Sequence, residues 1–164
     1  MNQLDLTYDV TMFKDTFENE FTYIEGFRRN THRYKANLAI TCPLRNKVWT
    51  YSDLESESNK LANALLADGV KKNDVVMYQL YNCAEFGVLY LAPQKIGAIN
   101  CPINFRLSYG ETSYILEDSK PKVFFYDSAI SNVVESALSR SSHKPDRVVM
   151  VDVFGSNTPI DGAI

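Results

Sequence analysis

Apolar residues recur in steps of three and four over the first thirty-five positions, at Phe13, Phe17, Phe21, Ile24 and Phe27. That spacing predicts one amphipathic helix with a single aromatic face. Arg28, Arg29, Arg33 and Lys35 follow it. A helix of this kind can lie on a membrane surface. Asp15, Glu18, Glu20 and Glu25 would repel anionic lipid, so packing of the helix on the body of the domain is the expectation. Two short β-prone runs, 38–42 and 47–50, are separated by Pro43 to Asn46 and predict a hairpin.

From residue 52 the period changes to that of helices alternating with apolar runs. Ser52 and Glu55 form a candidate capping box. Leu54, Leu61, Ala62, Leu65 and Leu66 make the buried stripe of the helix that follows, and Gly69 stands where a left-handed end residue is needed. A strand is predicted over 75–80. Asn82 then caps a helix through Phe86, Leu89 and Tyr90, which Pro93 should kink and Gly97 should end. A strand over 98–103, a second capping box at Ser108 and Glu111, a strand over 122–126, a helix opening at Asp127 or Ser128, and a last strand over 147–153 complete the series. The strands are continuous apolar runs more than alternating ones, as in strands buried on both faces.

Strand–helix alternation of this kind builds a parallel sheet through right-handed crossovers. The expected fold is therefore α/β: a parallel sheet of about four strands flanked by helices, preceded by an N-terminal helix and a β-hairpin. We divide the chain into a single α/β domain over 1–153, with 1–35 as its helical lead-in, and a linker or tail over 154–164 that has Gly, Asn and Pro but no periodicity.

Composition narrows the function classes. The 164 residues are 45% hydrophobic, enough for a buried core, and a net charge of -3 gives no electrostatic reason to bind nucleic acid. Cys42, Cys83 and Cys101 are too few, too widely spaced and too apolar in setting for a disulfide framework or a zinc site, so reduced thiols are expected. The start lacks a basic segment and an apolar core, and the apolar stretch near Phe86 is too short to span a bilayer. A soluble cytoplasmic protein is the expectation.

Several segments resemble, in order and at matching spacing, the opening of the adenylate-forming enzymes. These are Trp49-Thr50-Tyr51-Ser52-Asp53-Leu54, then Gly69-Val70-Lys71-Lys72-Asn73-Asp74-Val75-Val76, then Asn82-Cys83-Ala84-Glu85. Lys95-Ile96-Gly97-Ala98-Ile99-Asn100-Cys101-Pro102-Ile103-Asn104 and Arg106-Leu107-Ser108 with Glu111 continue the series over roughly residues 20 to 126. Asn73 stands where the family has glycine, and Pro93 interrupts a helix that is usually continuous. The Asn104-Phe105-Arg106-Leu107-Ser108 form is similar to the fatty-acyl and aryl CoA ligases of the superfamily.

The resemblance implies the N-terminal subdomain of an AMP-forming acyl-CoA synthetase, an acid–thiol ligase. Its parent reaction turns a fatty or aryl carboxylic acid, ATP and CoA into acyl-CoA, AMP and pyrophosphate through an acyl-adenylate. ATP, Mg²⁺ and CoA are the implied cofactors of that parent enzyme, and the rest of its own chain is the implied partner. The resemblance also sets Lys95, just before the glycine of its motif, near the CoA nucleotide phosphate. A helix-end lysine suiting the C-terminal dipole is the competing reading.

A triphosphate needs a loop rich in Gly, Ser and Thr together with a lysine, and Mg²⁺ needs a carboxylate. The seven glycines are scattered, and the nearest imitation, Gly155-Ser156-Asn157-Thr158-Pro159, lacks the second glycine and the lysine. His32 and His143 have no paired ligand spacing and are expected to be exposed. No catalytic residue and no metal ligand is assigned, and the chain by itself is expected to be inactive. A non-enzymatic α/β binding or interaction module is the alternative. An independent dinucleotide-binding domain would place glycines in the turn after its first parallel strand, where Leu80-Tyr81-Asn82-Cys83-Ala84 has none.

Overall fold

The computed structural model describes residues 10–152. The notional phosphate loop at 155–159 and the tail lie outside the described residues. The predicted lead-in helix is two helices, α1 (Val10–Asn19) and α2 (Tyr23–Tyr34). The break comes where the Thr22 hydroxyl accepts from the Glu25 amide and starts a new helix. It divides the aromatic face. Phe27 packs at 8% exposure with Ile24 beside it, whereas Phe13, Phe17 and Phe21 stack on one another and stay exposed. The expectation that this whole face covers the body is thus corrected: only its C-terminal half does.

The hairpin forms as predicted, from β1 (Leu38–Cys42) and β2 (Lys47–Thr50), paired antiparallel. Asn46 closes its turn in the left-handed region at φ 49°, which asparagine tolerates. The next helix, α3 (Tyr51–Ala67), starts two residues earlier than the Ser52 box would have it. Its cap is Thr50, whose hydroxyl accepts from the Asp53 amide while Asp53 accepts from the Thr50 amide. Leu54, Ala62 and Leu65 are buried as expected, but Leu66 points outward and Ser58 takes an inner place. Gly69 ends the segment at φ +80°.

Four parallel strands follow: β3 (Val75–Gln79), β4 (Ile99–Pro102), β5 (Val123–Asp127) and β6 (Arg147–Val151), in the order β4-β3-β5-β6. The helices between them are α4 (Ala84–Lys95), α5 (Tyr109–Ser119) and α6 (Ser131–Arg140). Alternate residues of the two inner strands feed two cores. Val76, Tyr78 and Leu80 join Val123 and Phe125 under Ala62, Leu65, Leu89 and Ala92. Met77, Phe124 and Tyr126 meet Leu116, Val134 and Ala137 on the other face. Double-sided burial holds for β5 and nearly all of β3. The outer strands β4 and β6 have no neighbour on their far sides among the described residues, and their side chains are half-buried or exposed.

Local signals explain the helix ends, with one correction. Ser108 and Glu111 form the expected reciprocal box. Asn82 does not cap α4: Cys83 holds the cap position without a side-chain hydrogen bond. Pro93 lies two residues before the last residue of α4, where a lost amide affects only the final turn. Gly97 then reverses the chain at φ +73°. Asn73 adopts φ 71°, a left-handed conformation that asparagine tolerates.

Candidate functional site

The strand order places a topological switch point at the carboxyl ends of β3 and β5. The chain leaves β3 toward β4 on one side and leaves β5 toward β6 on the other. Open α/β sheets bind ligands in the crevice this creates. Here Asp127, the last residue of β5, stands at the switch point. One carboxylate oxygen accepts from the Tyr81 amide at 3.3 Å and the other from the Ala129 amide at 3.0 Å. Ser128 donates to Asp152 at 3.0 Å beside it. An acidic side chain therefore takes the backbone amides that a phosphate would use, and its charge would repel one.

Beside the switch point, Tyr81 lies against Phe105 with ring centroids 4.1 Å apart, and the Arg106 guanidinium sits 5.0 Å over the Phe105 ring. The loop carrying Phe105 is fixed from below. Gln79, fully buried at the end of β3, donates to the Asn104 carbonyl at 3.0 Å and to the Thr112 hydroxyl at 3.2 Å. Asn104 in turn accepts from the Arg106 amide at 2.9 Å, the turn role that its residue type suggests. Gln79 escaped the reading of the sequence because a lone glutamine in an apolar strand looks the same whether it is buried or not. Its one signal is its place inside the run Val75 to Leu80.

Lys95, the last residue of α4, is not solvated. Its side chain is 5% exposed. The ammonium donates to the Glu55 carboxylate and the Asn59 side chain, both at 2.7 Å, and lies 3.5 Å from the Glu55 carbonyl. The Phe27 ring is 5.7 Å away. Burial lowers its pKa from the ordinary lysine value, and the hydrogen bond and charge of Glu55 act against that shift. All three ammonium protons are thus directed to α3. The structure gathers Glu55, Asn59 and Lys95 from 36 to 40 residues apart in sequence.

A second charged cluster ties the hairpin to α4. Glu85 meets Arg45 and Lys47, each at 2.6 Å, with Lys47 also 4.3 Å over the Trp49 ring. Arg45 contacts Glu85 as an ion pair without hydrogen-bond alignment. Burial would raise the Glu85 pKa, but the hydrogen bond from Lys47 and the adjoining Arg45 guanidinium outweigh it and the carboxyl is held below its ordinary value. His32 is exposed, as expected. His143 is not: it is half-buried and its Nε2 lies 2.9 Å from the Pro121 carbonyl. Cys42, Cys83 and Cys101 are free thiols, and burial pushes Cys83 up to about 11.

Among the described residues no cluster of three or more His, Cys, Asp or Glu side chains is gathered to hold a metal ion. No helix among them is long and apolar enough to cross a membrane. The described residues do not fit a triphosphate with Mg²⁺, because the amides at the switch point and the one buried ammonium are already engaged by carboxylates.

The parallel sheet, its flanking helices and the antiparallel hairpin are the class of fold the chain presents. The family pattern described as AMP-binding enzyme matches residues 27–161, and the chain belongs to that family. It is 31% identical over 115 residues to a crotonobetaine/carnitine–CoA ligase of Citrobacter koseri, a match covering 70% of this chain and 22% of that protein. It is 37% identical over 87 residues to the long-chain-fatty-acid–CoA ligase FadD13 of Mycobacterium tuberculosis, covering 53% of this chain and 17% of that one. Among solved structures, the inhibitor-bound N-terminal domain of FACL13 from Mycobacterium tuberculosis superposes with a TM-score of 0.69 at 27% identity, covering 84% of this chain and 36% of the other. The chain thus spans about a fifth of the length of these two ligases.

Proposed function

We propose that this chain is the scaffold layer of an AMP-forming acid–thiol ligase, whose whole protein joins a fatty or aryl carboxylic acid to CoA at the expense of ATP. The match to the AMP-binding enzyme family across 27–161 carries this reading. The Asn104-to-Ser108 form and the CoA-ligase names of the relatives support the fatty or aryl substrate class. Residues 10–152 build the sheet and its helices, while the groups that grip ATP and Mg²⁺ come from elsewhere in the whole protein. The chain alone has no adenylation activity, and it works in the cytoplasm.

The test is direct. With ATP, Mg²⁺ and a panel of fatty and aryl acids, the 164-residue chain should release no pyrophosphate above a no-enzyme blank. Measurable release would refute the scaffold reading.

Lys95 completes the proposal as the residue that faces the CoA nucleotide phosphate in the whole enzyme. To do so its ammonium must exchange Glu55 for the phosphate. Lys95→Ala should then raise the KM for CoA in the full-length ligase and leave the KM for ATP unchanged. Equal CoA constants in the two proteins would leave Lys95 as a purely structural partner of Glu55.

A further inference from the structure

Helix α2, strand β1, the start of α3 and helix α4 line an open-sided cavity of about 550 Å³ that shares no lining residue with the switch point. That volume is within the range of small-molecule sites. Its walls are Phe27, Tyr51, Leu54, Phe86, Tyr90 and Leu91. No charged side chain lines it. The closest ammonium to its wall, that of Lys95 above the Phe27 ring, is already held by Glu55 and Asn59.

Gly26 forms part of the cavity wall. It lies inside α2, where glycine is less favourable than alanine. A Cβ added there would meet nothing within 4 Å. Neither a left-handed φ nor a close backbone approach calls for glycine at this position. The contrast is Gly87 on α4, where a Cβ would come within 2.6 Å of the Ile40 side chain and glycine is needed for packing. At Gly26 the missing side chain leaves open space on the cavity wall.

The lining also contains hydrogen-bonding side chains, Tyr23 and Asn30 of α2, with Tyr23 set edge-on to Tyr90 at 5.3 Å. Aromatic walls favour a flat apolar body through offset and edge contacts. Phenol and amide groups add a place for one neutral polar substituent. The absence of a lining cation makes a carboxylate or phosphate expensive to desolvate there.

We propose that this cavity is a binding site for an uncharged molecule of one or two rings carrying a hydroxyl or carbonyl group. It rests on the volume and lining of the cavity and does not depend on the ligase reading.

The probe is 2-naphthol, titrated into the isotopically labelled 164-residue chain and followed by amide shifts and naphthol fluorescence. Saturable shifts should appear at Gly26, Ala39 and Gly87, all of which line the cavity. Gly26→Phe, which fills it, should weaken binding at least tenfold. Gly26→Ala should keep affinity within about twofold while raising the Tm, because alanine favours the helix. 2-Naphthoate, the same rings with a carboxylate, should bind at least tenfold more weakly than 2-naphthol. If circular dichroism shows Gly26→Phe to be unfolded, Ala39→Leu, which intrudes from β1, takes its place. Undiminished naphthol binding by a folded, filled variant overturns the proposal. So do naphthoate binding as tight as that of naphthol, or shifts confined to other surfaces.

Discussion

Glu55 and Asn59 decide whether the Lys95 ammonium can stay charged where it is. Burying an ammonium is unfavourable by several kcal/mol unless a partner compensates, and removing one partner leaves that penalty exposed. Glu55→Ala should therefore destabilise the chain by about 2–3 kcal/mol in urea denaturation, more than Lys95→Met, which removes the charge and keeps the apolar stem. The reverse ranking would mean that water reaches the ammonium freely. The same pair shows what a sequence hides at this scale. Glu55 was read as the acid of a capping box, a local role, because its actual partner lies 40 residues away. Lys95 was singled out for its place before the motif glycine, and its 5% exposure could not be inferred from a helix-end location. Asn73 and Gly97 were different: their backbone demands are local, and the turns they make were legible at once.

Elements were predicted well where their signals are local, and shifted where a tertiary contact decides. Both Thr50-x-x-Asp53 and Ser52-x-x-Glu55 satisfy the capping pattern. The chain entering β1 settles it: the Asn37 carbonyl accepts from the Tyr51 amide and the Lys35 carbonyl from the Ser52 amide, both at 3.0 Å. With those first amides satisfied, the helix begins at Tyr51. Thr50→Ala should therefore lower stability by about 1 kcal/mol in chemical denaturation, while Ser52→Ala should be nearly neutral. A larger loss at Ser52 would return the cap to the later box. A second tie joins α5 to the loop after α6. The Glu117 carboxylate accepts from the Ser142 hydroxyl at 2.8 Å, from the Ser142 amide, and from the Ser141 hydroxyl at 3.0 Å. The Ser142 hydroxyl and then its amide hold the Glu117 carboxyl down to about 2, against an ordinary 4.5. A depressed carboxylate adds stability above its unfolded value and loses it as pH falls through the folded one. Between pH 4.5 and 2 the Tm of the wild-type chain should fall more steeply than that of Glu117→Gln. Parallel slopes would show that the loop contact does not persist in solution.

At the scale of the whole molecule, the alternation of strand and helix was enough to announce a parallel α/β sheet, because connections of that length leave few other packings. The order of its strands was not legible, since apolar runs do not say which neighbour they take. Nor was the acid at the switch point: Asp127 was read only as a helix opener, and its second contact, to Tyr81, exists only once β3 and β5 lie side by side. The order β4-β3-β5-β6 bears on how the polypeptide can assemble as it emerges from the ribosome. β3 is made first; β4 joins one flank of it, β5 the other, and β6 extends the β5 side. Every newcomer attaches at a free border, and none has to wedge between two partners already paired. The nascent layer can therefore close strand by strand, in the order of synthesis, without first being undone.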